Sequence, residues 1–339
     1  MRAHHFSTAT GLLLALVAFL SLTLRAQTEP EPGLTFHVDS RLVLVDVIPE
    51  FENQSHSRAL VTDLRRDDFR LYDNRQEVPI RTFDRGGTRG SRPISLWLIV
   101  QCPQGFTTGW ASDFLRGDTK LLRPALQHLD KDDVVGVAHW CDNGDAALDE
   151  VSGRNVDAAL GKIDQLLNGN MIHGENRTGE LAMQKLVRMI VDSAQSTKPE
   201  RLPVMVFFYG DHCATFADEA QEIIKAVLKT SGFVFGISDG RWPFDPQYMR
   251  SNGQIGYLVH YYSQETGGEY YTTPDAKLYS SALDYILTQV HFRYTLGFKP
   301  QALDGKIHHL KVELTKEARS RFKDVTLRHR QEYIPVAEP

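Results

Sequence analysis

The fold is decided by the run ISLWLIV at residues 94–100 and by two similar runs, VVGVAHW at residues 134–140 and VMVFFY at residues 204–209. Each run is almost continuously apolar, which is typical of a β-strand that is buried on both faces. Between the runs, apolar residues recur at helical spacing, as in Val156, Ala159, Leu160, Ile163 and Leu167. This alternation predicts a mostly parallel sheet with helices on both faces.

A hairpin is predicted directly after the second run. Residues 142–145 (DNGD) contain an Asn-Gly pair, which tolerates positive φ at both central positions of a two-residue turn. The turn leads into residues 146–151, which we predict to form a short antiparallel partner strand. Further helix and strand patterns continue to about residue 290, so we place the α/β domain at residues 92–290.

The segments on either side of this domain have the alternating, β-branched pattern of strands. They are residues 34–90 and residues 291–334, an N-terminal and a C-terminal β segment. Predicted strands cover residues 69–72, 78–83, 292–298, 310–314 and 325–330. Neither segment has enough strands to close a core alone. We therefore predict one small β-sandwich built from both segments, in which residues near Val45 and Leu296 lie together.

Residues 1–26 are predicted to be a removable leader. Arg2 precedes an apolar run at residues 11–24, and the run ends close to Ala26, as in a secretory signal peptide cleaved after that residue. The run is short for a bilayer-spanning helix, which needs about 20 residues; an uncleaved N-terminal anchor is the alternative. Residues 27–33 are predicted to be a disordered lead-in. We expect a secreted or periplasmic protein that does not insert into a membrane once the leader is removed.

The composition excludes several classes of protein. Of 339 residues, 42% are hydrophobic and 24% are charged, which excludes a disordered or low-complexity chain. The net charge of −5 does not suggest the strongly basic face of a nucleic-acid-binding protein, so a nucleic acid is not expected as a partner. Three cysteines are too few for a scaffold built on disulfides.

Short motifs in the flanking segments carry a resemblance to a known family. They are Val43, Asp46 and Val47, then DDFRLYD at residues 67–73, and YTLGFKP at residues 294–300. With the order of the elements, they make the chain resemble secreted bacterial proteins that contain a von Willebrand factor A domain. The resemblance covers nearly all of residues 34–333. It implies a doubly wound, Rossmann-like α/β domain inserted in, or flanked by, the small β-sandwich.

The resemblance also implies where a ligand would bind. Domains of this family hold a divalent cation at the carboxyl edge of the sheet, through an Asp-x-Ser-x-Ser motif, a loop threonine and a later aspartate. Here Gln101, Pro103 and Gly105 stand at the three motif positions. Thr178 matches the threonine, and Asp211 is displaced from the aspartate position. Because Mg²⁺ requires several hard oxygen ligands, we predict a degenerate site with no metal and no other cofactor, whose five residues mark a binding face.

The three cysteines each follow a predicted parallel strand. In the strand order that the resemblance implies, Cys102 lies within disulfide reach of both Cys141 and Cys213. We favour Cys102–Cys141, because both residues are within two positions of their strand ends, and leave the pairing with Cys213 open. The alternative is a soft-metal or thiol-active site for Zn²⁺ or Cu, formed by the three cysteines with His139 and His212.

A loop rich in aromatic residues follows the strand predicted at residues 232–237. It contains Trp242, Phe244 and Tyr248, and its position after a sheet strand predicts that it lies on the same edge as the degenerate metal site. Tryptophan and tyrosine are enriched among the residues that dominate protein interfaces. The three aromatic residues are therefore candidate partner contacts. Equally, they could fold back onto the domain, with the neighbouring prolines stiffening the loop.

These observations together favour a non-catalytic protein. We expect recognition or adhesion through the strand-end face, with an unidentified extracytoplasmic protein as the partner. The alternative function is soft-metal binding or thiol chemistry in the periplasm. The sequence offers no acid–base pair and no nucleophile arrangement to assign, so we do not expect an enzyme.

Overall fold

In a computed structural model, the chain is described over residues 42–52, 58–87, 92–101, 119–140, 146–151, 153–168, 179–196, 200–209, 215–216, 224–225, 227–228, 231–238, 254–255, 258–273, 275 and 277–335. These residues belong to one unit, Arg41–Pro339. The predicted leader, residues 1–26, and the lead-in, residues 27–33, lie outside the described residues.

The strands of the described part are β1 (Val43–Glu52), β2 (Arg58–Leu60), β3 (Phe69–Asp73), β4 (Gln76–Val78), β5 (Thr82–Arg85), β6 (Ile94–Gln101), β7 (Val134–Trp140), β8 (Ala146–Val151), β9 (Leu202–Tyr209), β10 (Thr215–Phe216), β11 (Phe233–Ser238), β12 (Gln254–Ile255), β13 (Tyr270–Thr272), β14 (Tyr294–Phe298), β15 (His308–Leu314), β16 (Val325–His329) and β17 (Glu332–Tyr333). The α-helices are α1 (Arg123–Leu126), α2 (Val156–Asn168), α3 (Gly179–Ser196), α4 (Leu258–Thr266), α5 (Lys277–His291) and α6 (Lys316–Arg321). Within the described ranges, no helix is long and apolar enough to cross a membrane.

The central sheet has six strands in the order β13–β11–β9–β6–β7–β8. All neighbours are parallel except β7 and β8, which form the hairpin that the Asn-Gly turn predicted. The prediction of a mixed α/β fold with a mostly parallel sheet is thereby confirmed. Side chains alternate between the two faces, so Leu96 and Leu98 of β6 join one apolar cluster while Trp97 and Ile99 join the other. This is why the strand is apolar at nearly every position.

Helices cover both faces of the sheet. Leu126 of α1, Ile163 of α2 and Ile286 of α5 pack on the face of Leu96. Leu186 of α3 and Val259 of α4 pack on the face of Trp97. Each helix contributes the stripe of apolar residues that its spacing predicted.

Trp97 depends on a glycine in the neighbouring strand. Its ring lies over Gly136 of β7, where an added Cβ would be only 2.6 Å from a ring carbon. The indole Nε1 donates to Ser95 Oγ at 3.0 Å. A large aromatic side chain therefore fits between the sheet and the helices on that face because β7 has no side chain at this point.

The flanking segments form two antiparallel sheets. One has the order β16–β1–β14–β5, with β2 paired to β1, and the other has the order β17–β15–β3–β4. Val45 of β1 lies opposite Leu296 of β14, so both ends of the chain contribute to one sheet. Apolar residues of both sheets form a shared cluster that includes Val45, Leu71, Leu296 and Val312.

The strand predicted at residues 78–83 is wrong. The structure has two strands there, β4 and β5, which belong to different sheets: Val78 pairs with Leu71, whereas Phe83 pairs with Leu296. Pro79 lies between them, and proline cannot donate a hydrogen bond to a sheet ladder. The chain therefore leaves one sheet at the proline and enters the other.

Charged runs such as residues 67–68 and 130–133 are typical of solvated loops or helix ends, yet Asp68 and Asp133 are buried. Asp133 accepts hydrogen bonds from the backbone N–H of Ile94 (2.8 Å) and of Asp130 (2.7 Å). Burial alone would raise the pKa of Asp133, but the hydrogen bond and charge of His291 and these backbone donors hold it below its usual value. Such an aspartate accepts hydrogen bonds from backbone N–H groups in loops and at the starts of strands. The pattern of charges in the sequence does not reveal this role.

A buried ion pair joins the α/β part to the flanking sheets. Arg293, two residues after α5, places Nε 3.0 Å from Asp46 Oδ1 on β1. Its other guanidinium nitrogens donate to the carbonyl oxygens of Val290 (2.6 Å) and Arg92 (2.9 Å). Thr295 Oγ1 donates to the same Asp46 oxygen at 2.6 Å. The pair therefore fixes the end of α5 and the start of β6 against β1.

A second polar network crosses the same junction. Arg328 of β16 contacts both carboxylate oxygens of Glu50 on β1, at 2.8 Å and 3.2 Å, and Gln289 Oε1 of α5 at 2.6 Å. The Tyr285 hydroxyl of α5 donates to Glu50 at 3.1 Å. Burial and the Glu50 charge raise the pKa of Tyr285 to about 12, so this hydroxyl keeps its proton over the physiological range.

Candidate functional site

Five parallel strands of the central sheet, β13, β11, β9, β6 and β7, end along one edge, which we call the carboxyl edge. β6 ends at Gln101 opposite Trp140 of β7, and β9 ends at Tyr209 opposite Ser238 of β11. From β6 the chain continues to β7 on one side, whereas from β9 it continues to β11 on the other. The order of the strands therefore reverses between β6 and β9, and open α/β sheets commonly bind ligands outside the strand ends at such a point.

Of the five residues of the predicted binding face, one is among the described residues. Gln101 is the last residue of β6 and lies on the carboxyl edge. Pro103, Gly105, Thr178 and Asp211 lie outside the described residues. So do the predicted disulfide residues Cys102 and Cys141, the remaining Cys213 and His212, and the candidate partner contacts Trp242, Phe244 and Tyr248.

Helix α3 and the strand that follows it, β9, have similar lengths. α3 has 18 residues, and β9, which has eight, begins a few residues after the helix ends. The helix is about 27 Å long and the strand about 26 Å. Because so short a connection joins the end of α3 to the start of β9, the first turn of α3 is level with the carboxyl edge. Thr178 immediately precedes that turn in the sequence.

A buried histidine–aspartate pair lies beside this edge. His139, the residue before the end of β7, has Nδ1 at 2.9 Å and 2.8 Å from the two carboxylate oxygens of Asp149 on β8. The two side chains are 10% and 12% exposed. A carboxylate at Nδ1 favours the tautomer with the proton on that nitrogen, which leaves Nε2 as the basic atom of a neutral ring.

The pair is formed by an irregularity in the hairpin. Glu150 lies opposite Val137 and Leu148 opposite Ala138, so Asp149 is an additional residue in β8. Such a β-bulge redirects the side chain of the extra residue, and here it brings the Asp149 carboxylate to the imidazole. The sequence suggested His139 as a candidate ligand but contained no signal for Asp149, because a bulge has no signature of its own in a strand of this length.

A second group of ionisable residues lies at the opposite edge of the sheet. Ligand atoms of Asp130, Asp133 and His291 are all within 4.8 Å of one another. Asp133 immediately precedes β7, which places the group at the amino edge. Both Asp133 oxygens already accept hydrogen bonds, and His291 Nε2 is 2.8 Å from one of them. We interpret this group as a structural anchor for the loop before β7 and the end of α5.

A shallow cavity of about 320 Å³ lies on the flanking β part. Its charged residues include Arg70 and Glu77, which form an exposed ion pair at 2.8 Å. Phe69, Leu71 and Val78 contribute to its walls and already belong to the apolar cluster of that part. Two basic residues, Arg66 and Arg70, and two acidic residues, Asp67 and Glu77, line the cavity, so its charges balance.

Comparisons with known proteins give distant likenesses of fold. No protein-family model matches the chain, and no curated protein matches it. Similar solved structures include a von Willebrand factor type A protein from Catenulispora acidiphila, with 9% identity, TM-score 0.41, and coverage of 82% of this chain and 76% of that one. A point mutant of the PilB minor pilin from Streptococcus sanguinis has 8% identity and TM-score 0.40, covering 73% and 88%. BatB from Bacteroides thetaiotaomicron has 14% identity and TM-score 0.38, covering 58% and 98%. What the strand order itself establishes is a mixed α/β fold around a mostly parallel sheet.

Proposed function

We propose that this chain is an extracytoplasmic recognition or adhesion protein of the von Willebrand factor A type, and that it contacts a partner protein through the carboxyl edge. The observation that carries the proposal is the alignment of five strand ends along one edge, with a reversal of strand order between β6 and β9. The partner is an extracytoplasmic protein, bound without any chemical transformation.

We further propose that the carboxyl edge contacts its partner protein without a bridging metal ion. A residue with an amide side chain, Gln101, ends β6, and Pro103 and Gly105 follow it in the sequence. None of the three offers a side-chain carboxylate or hydroxyl, the hard oxygen ligands of the Asp-x-Ser-x-Ser motif. In this proposal, the shape of the edge and the aromatic loop with Trp242 provide the contact.

The strand register supports a disulfide between Cys102 and Cys141 rather than between Cys102 and Cys213. Gln101 is paired with Trp140, so the two cysteines directly follow a matched pair of residues on neighbouring strands. Adjacent strands are about 4.8 Å apart, within the range of Cα separations in disulfides. Cys213 follows β9 by four residues and has no such matched position.

Replacing Trp242 by alanine tests the proposed recognition. The variant is expected to capture its partner from envelope extracts at least tenfold more weakly, since truncating a central aromatic contact costs about 2 kcal/mol or more. Its melting temperature is expected to stay unchanged. The matched control is Asp132→Ala, an exposed residue at the amino edge, which should capture the partner as the wild type does. A lower melting temperature for Trp242→Ala with unchanged capture would contradict the proposal.

A second candidate function is favoured by the His139–Asp149 pair. Histidines that bind metals commonly donate their other ring N–H to a carboxylate, which orients the ring. In this candidate, His139 and the cysteines after β6, β7 and β9 hold a soft ion such as Zn²⁺ or Cu. The bulge at Asp149 is the structural observation behind it.

Metal analysis and thiol titration of one sample separate the two candidates. Recognition with a Cys102–Cys141 disulfide predicts one free thiol in the denatured, unreduced protein and no stoichiometric metal. Soft-metal binding predicts about one Zn or Cu per chain and three titratable thiols after the metal is removed. In that case, Asp149→Asn is expected to weaken metal binding by about 10–100-fold, whereas Asp157→Asn, an exposed aspartate on α2, should not.

A further inference from the structure

A buried histidine in the flanking β part lies between two carboxylates. His308, the first residue of β15, has Nδ1 2.9 Å from Asp73 Oδ1 and Nε2 3.2 Å from Asp304 Oδ1. The His308 side chain is 7% exposed, and that of Asp73, at the end of β3, is 2% exposed. Asp304 belongs to the loop between β14 and β15. One imidazole therefore connects the interior of the β part to a surface loop.

Tyr333 determines which hydrogen bonds Asp73 can accept. Its hydroxyl donates to Asp73 Oδ2 at 2.9 Å, and its ring packs edge-on against His308 at 5.2 Å between ring centres. Burial, followed by the hydrogen bond and charge of Asp73, raises the pKa of Tyr333 far above its usual value. The hydroxyl therefore remains a donor to Oδ2, and its oxygen lies 3.2 Å from His308 Nδ1. The Nδ1–H group thus faces two acceptors, Asp73 Oδ1 and the phenolic oxygen of Tyr333.

Asp304 is held as a carboxylate acceptor as well. Its Oδ1 accepts the backbone N–H of Lys306 at 3.0 Å. That hydrogen bond, and then the hydrogen bond and charge of His308, keep the pKa of Asp304 below its usual value. An ionised carboxylate cannot donate, so the bond to His308 Nε2 also requires a proton on the ring nitrogen.

The two contacts of the His308 ring determine the charge state that the ring must have. Both ring nitrogens face carboxylate oxygens, and only the imidazolium carries a proton on each. The other ionisable groups of this environment are Lys306, next to Asp304, and Arg330, whose guanidinium lies 5.8 Å from the Tyr333 ring centre. His309, the next residue of β15, points to the opposite face, is exposed, and pairs with Glu332 at 3.1 Å.

We propose that His308 is a proton-dependent clasp, which holds the loop of residues 299–307 against the β part when the imidazole is protonated and releases it when the ring loses a proton. A neutral ring retains one N–H, which the buried Asp73 keeps. Nε2 then presents a lone pair to the Asp304 carboxylate, and the two repel. The contact between Nε2 and Asp304 therefore requires a ring that is protonated on both nitrogens together with an ionised Asp304, and it is lost when the ring gives up a proton.

The released segment carries apolar side chains at the surface. Leu303 and Ile307 are large exposed hydrophobic residues of this loop. Its backbone is fastened further by Gly305 N–H, which donates to Pro335 O at 3.1 Å. Loss of the His308–Asp304 contact would therefore alter an apolar surface as well as the loop backbone. The inference is independent of the function proposed for the carboxyl edge.

The test is a pH series of amide hydrogen exchange on the full chain, with NMR of the imidazole nitrogens of His308. After correction for the intrinsic pH dependence of exchange, protection of the Gly305 and Lys306 amides is expected to fall by about tenfold, the effect of one charge-assisted hydrogen bond. The fall should coincide with loss of one ring proton from His308.

Two variants make the result decisive. Asp304→Asn replaces the carboxylate by an amide, which can accept from a protonated Nε2 and donate to a neutral one, so the loop should stay protected across the series. His309→Gln removes the exposed neighbour and should behave as the wild type. The proposal is overturned if His308 carries a single ring proton while the loop is protected, if protection does not change through its titration, or if His309→Gln removes the pH dependence.

Discussion

Replacing Arg293 by alanine is expected to lower the free energy of unfolding by about 3–5 kcal/mol, the usual effect of breaking a buried ion pair from one side. The Arg293 side chain is 2% exposed and that of Asp46 is 3% exposed. Removal of the guanidinium leaves the buried Asp46 carboxylate without its direct ion-pair partner, although Thr295 still donates to it. It also leaves the carbonyl oxygens of Val290 and Arg92 without this donor. Urea denaturation followed by circular dichroism measures the change.

The control for Arg293 is the same substitution in an exposed pair. Arg70 and Glu77 are 47% and 51% exposed in the same flanking part, and their ion pair is 2.8 Å long. Arg70→Ala is therefore expected to change the free energy of unfolding by less than about 1 kcal/mol. Equal losses for the two variants would show that the charge at Arg293 is not what stabilises the junction.

Replacing Trp97 by alanine is expected to cost about 3–5 kcal/mol of stability, as for other large aromatic residues removed from a core. The residue is 1% exposed and occupies the space above Gly136. The β-strand backbone at Gly136 has no side chain that could move into the cavity. Ser95 Oγ also loses the indole donor. The measurement is the same denaturation experiment.

Trp97→Phe and Val151→Ala are the controls for this substitution. Phenylalanine refills most of the space but cannot donate to Ser95, so an intermediate loss is expected. Val151 is an exposed residue at the end of β8, and its replacement should change stability by no more than about 0.5 kcal/mol. A loss below about 1 kcal/mol for Trp97→Ala would mean that the helices above Gly136 close the cavity.

The central strands could be predicted because burial on both faces makes them apolar at nearly every position, and their short length and their β-branched and aromatic residues favour strands over helices. Residues 94–100 and 204–209 are apolar almost throughout, and both lie in the middle of the sheet. The pairing of the N-terminal and C-terminal segments followed from the small number of strands in each. Pro79, by contrast, was placed inside a strand, because its neighbours have a strand pattern that the proline divides between two sheets.

The candidate site was predictable only in its position. Strand ends can be read from where an apolar run stops, and Gln101 was placed on the carboxyl edge in this way. Asp149 was not identified, because the bulge that turns it toward His139 depends on the pairing of β8 with β7. The burial of Asp133 was missed for a similar reason, since its donors come from Ile94 and His291, which are distant in the sequence. The spacing of apolar residues indicates which residues are buried, but it does not indicate which distant residues they contact.

The pairing of β5 with β14 has a mechanical consequence. Arg85 lies opposite Tyr294 on a neighbouring strand. The chain therefore leaves the flanking sheet after Arg85 and returns to it at the residue that pairs with Arg85. If the segments near residues 42 and 335 are pulled apart, the load passes through the ladders of the flanking strands and bypasses the long stretch of chain between Arg85 and Tyr294. The six-stranded sheet then keeps its shape under a tension that would stretch a domain loaded at its own two ends.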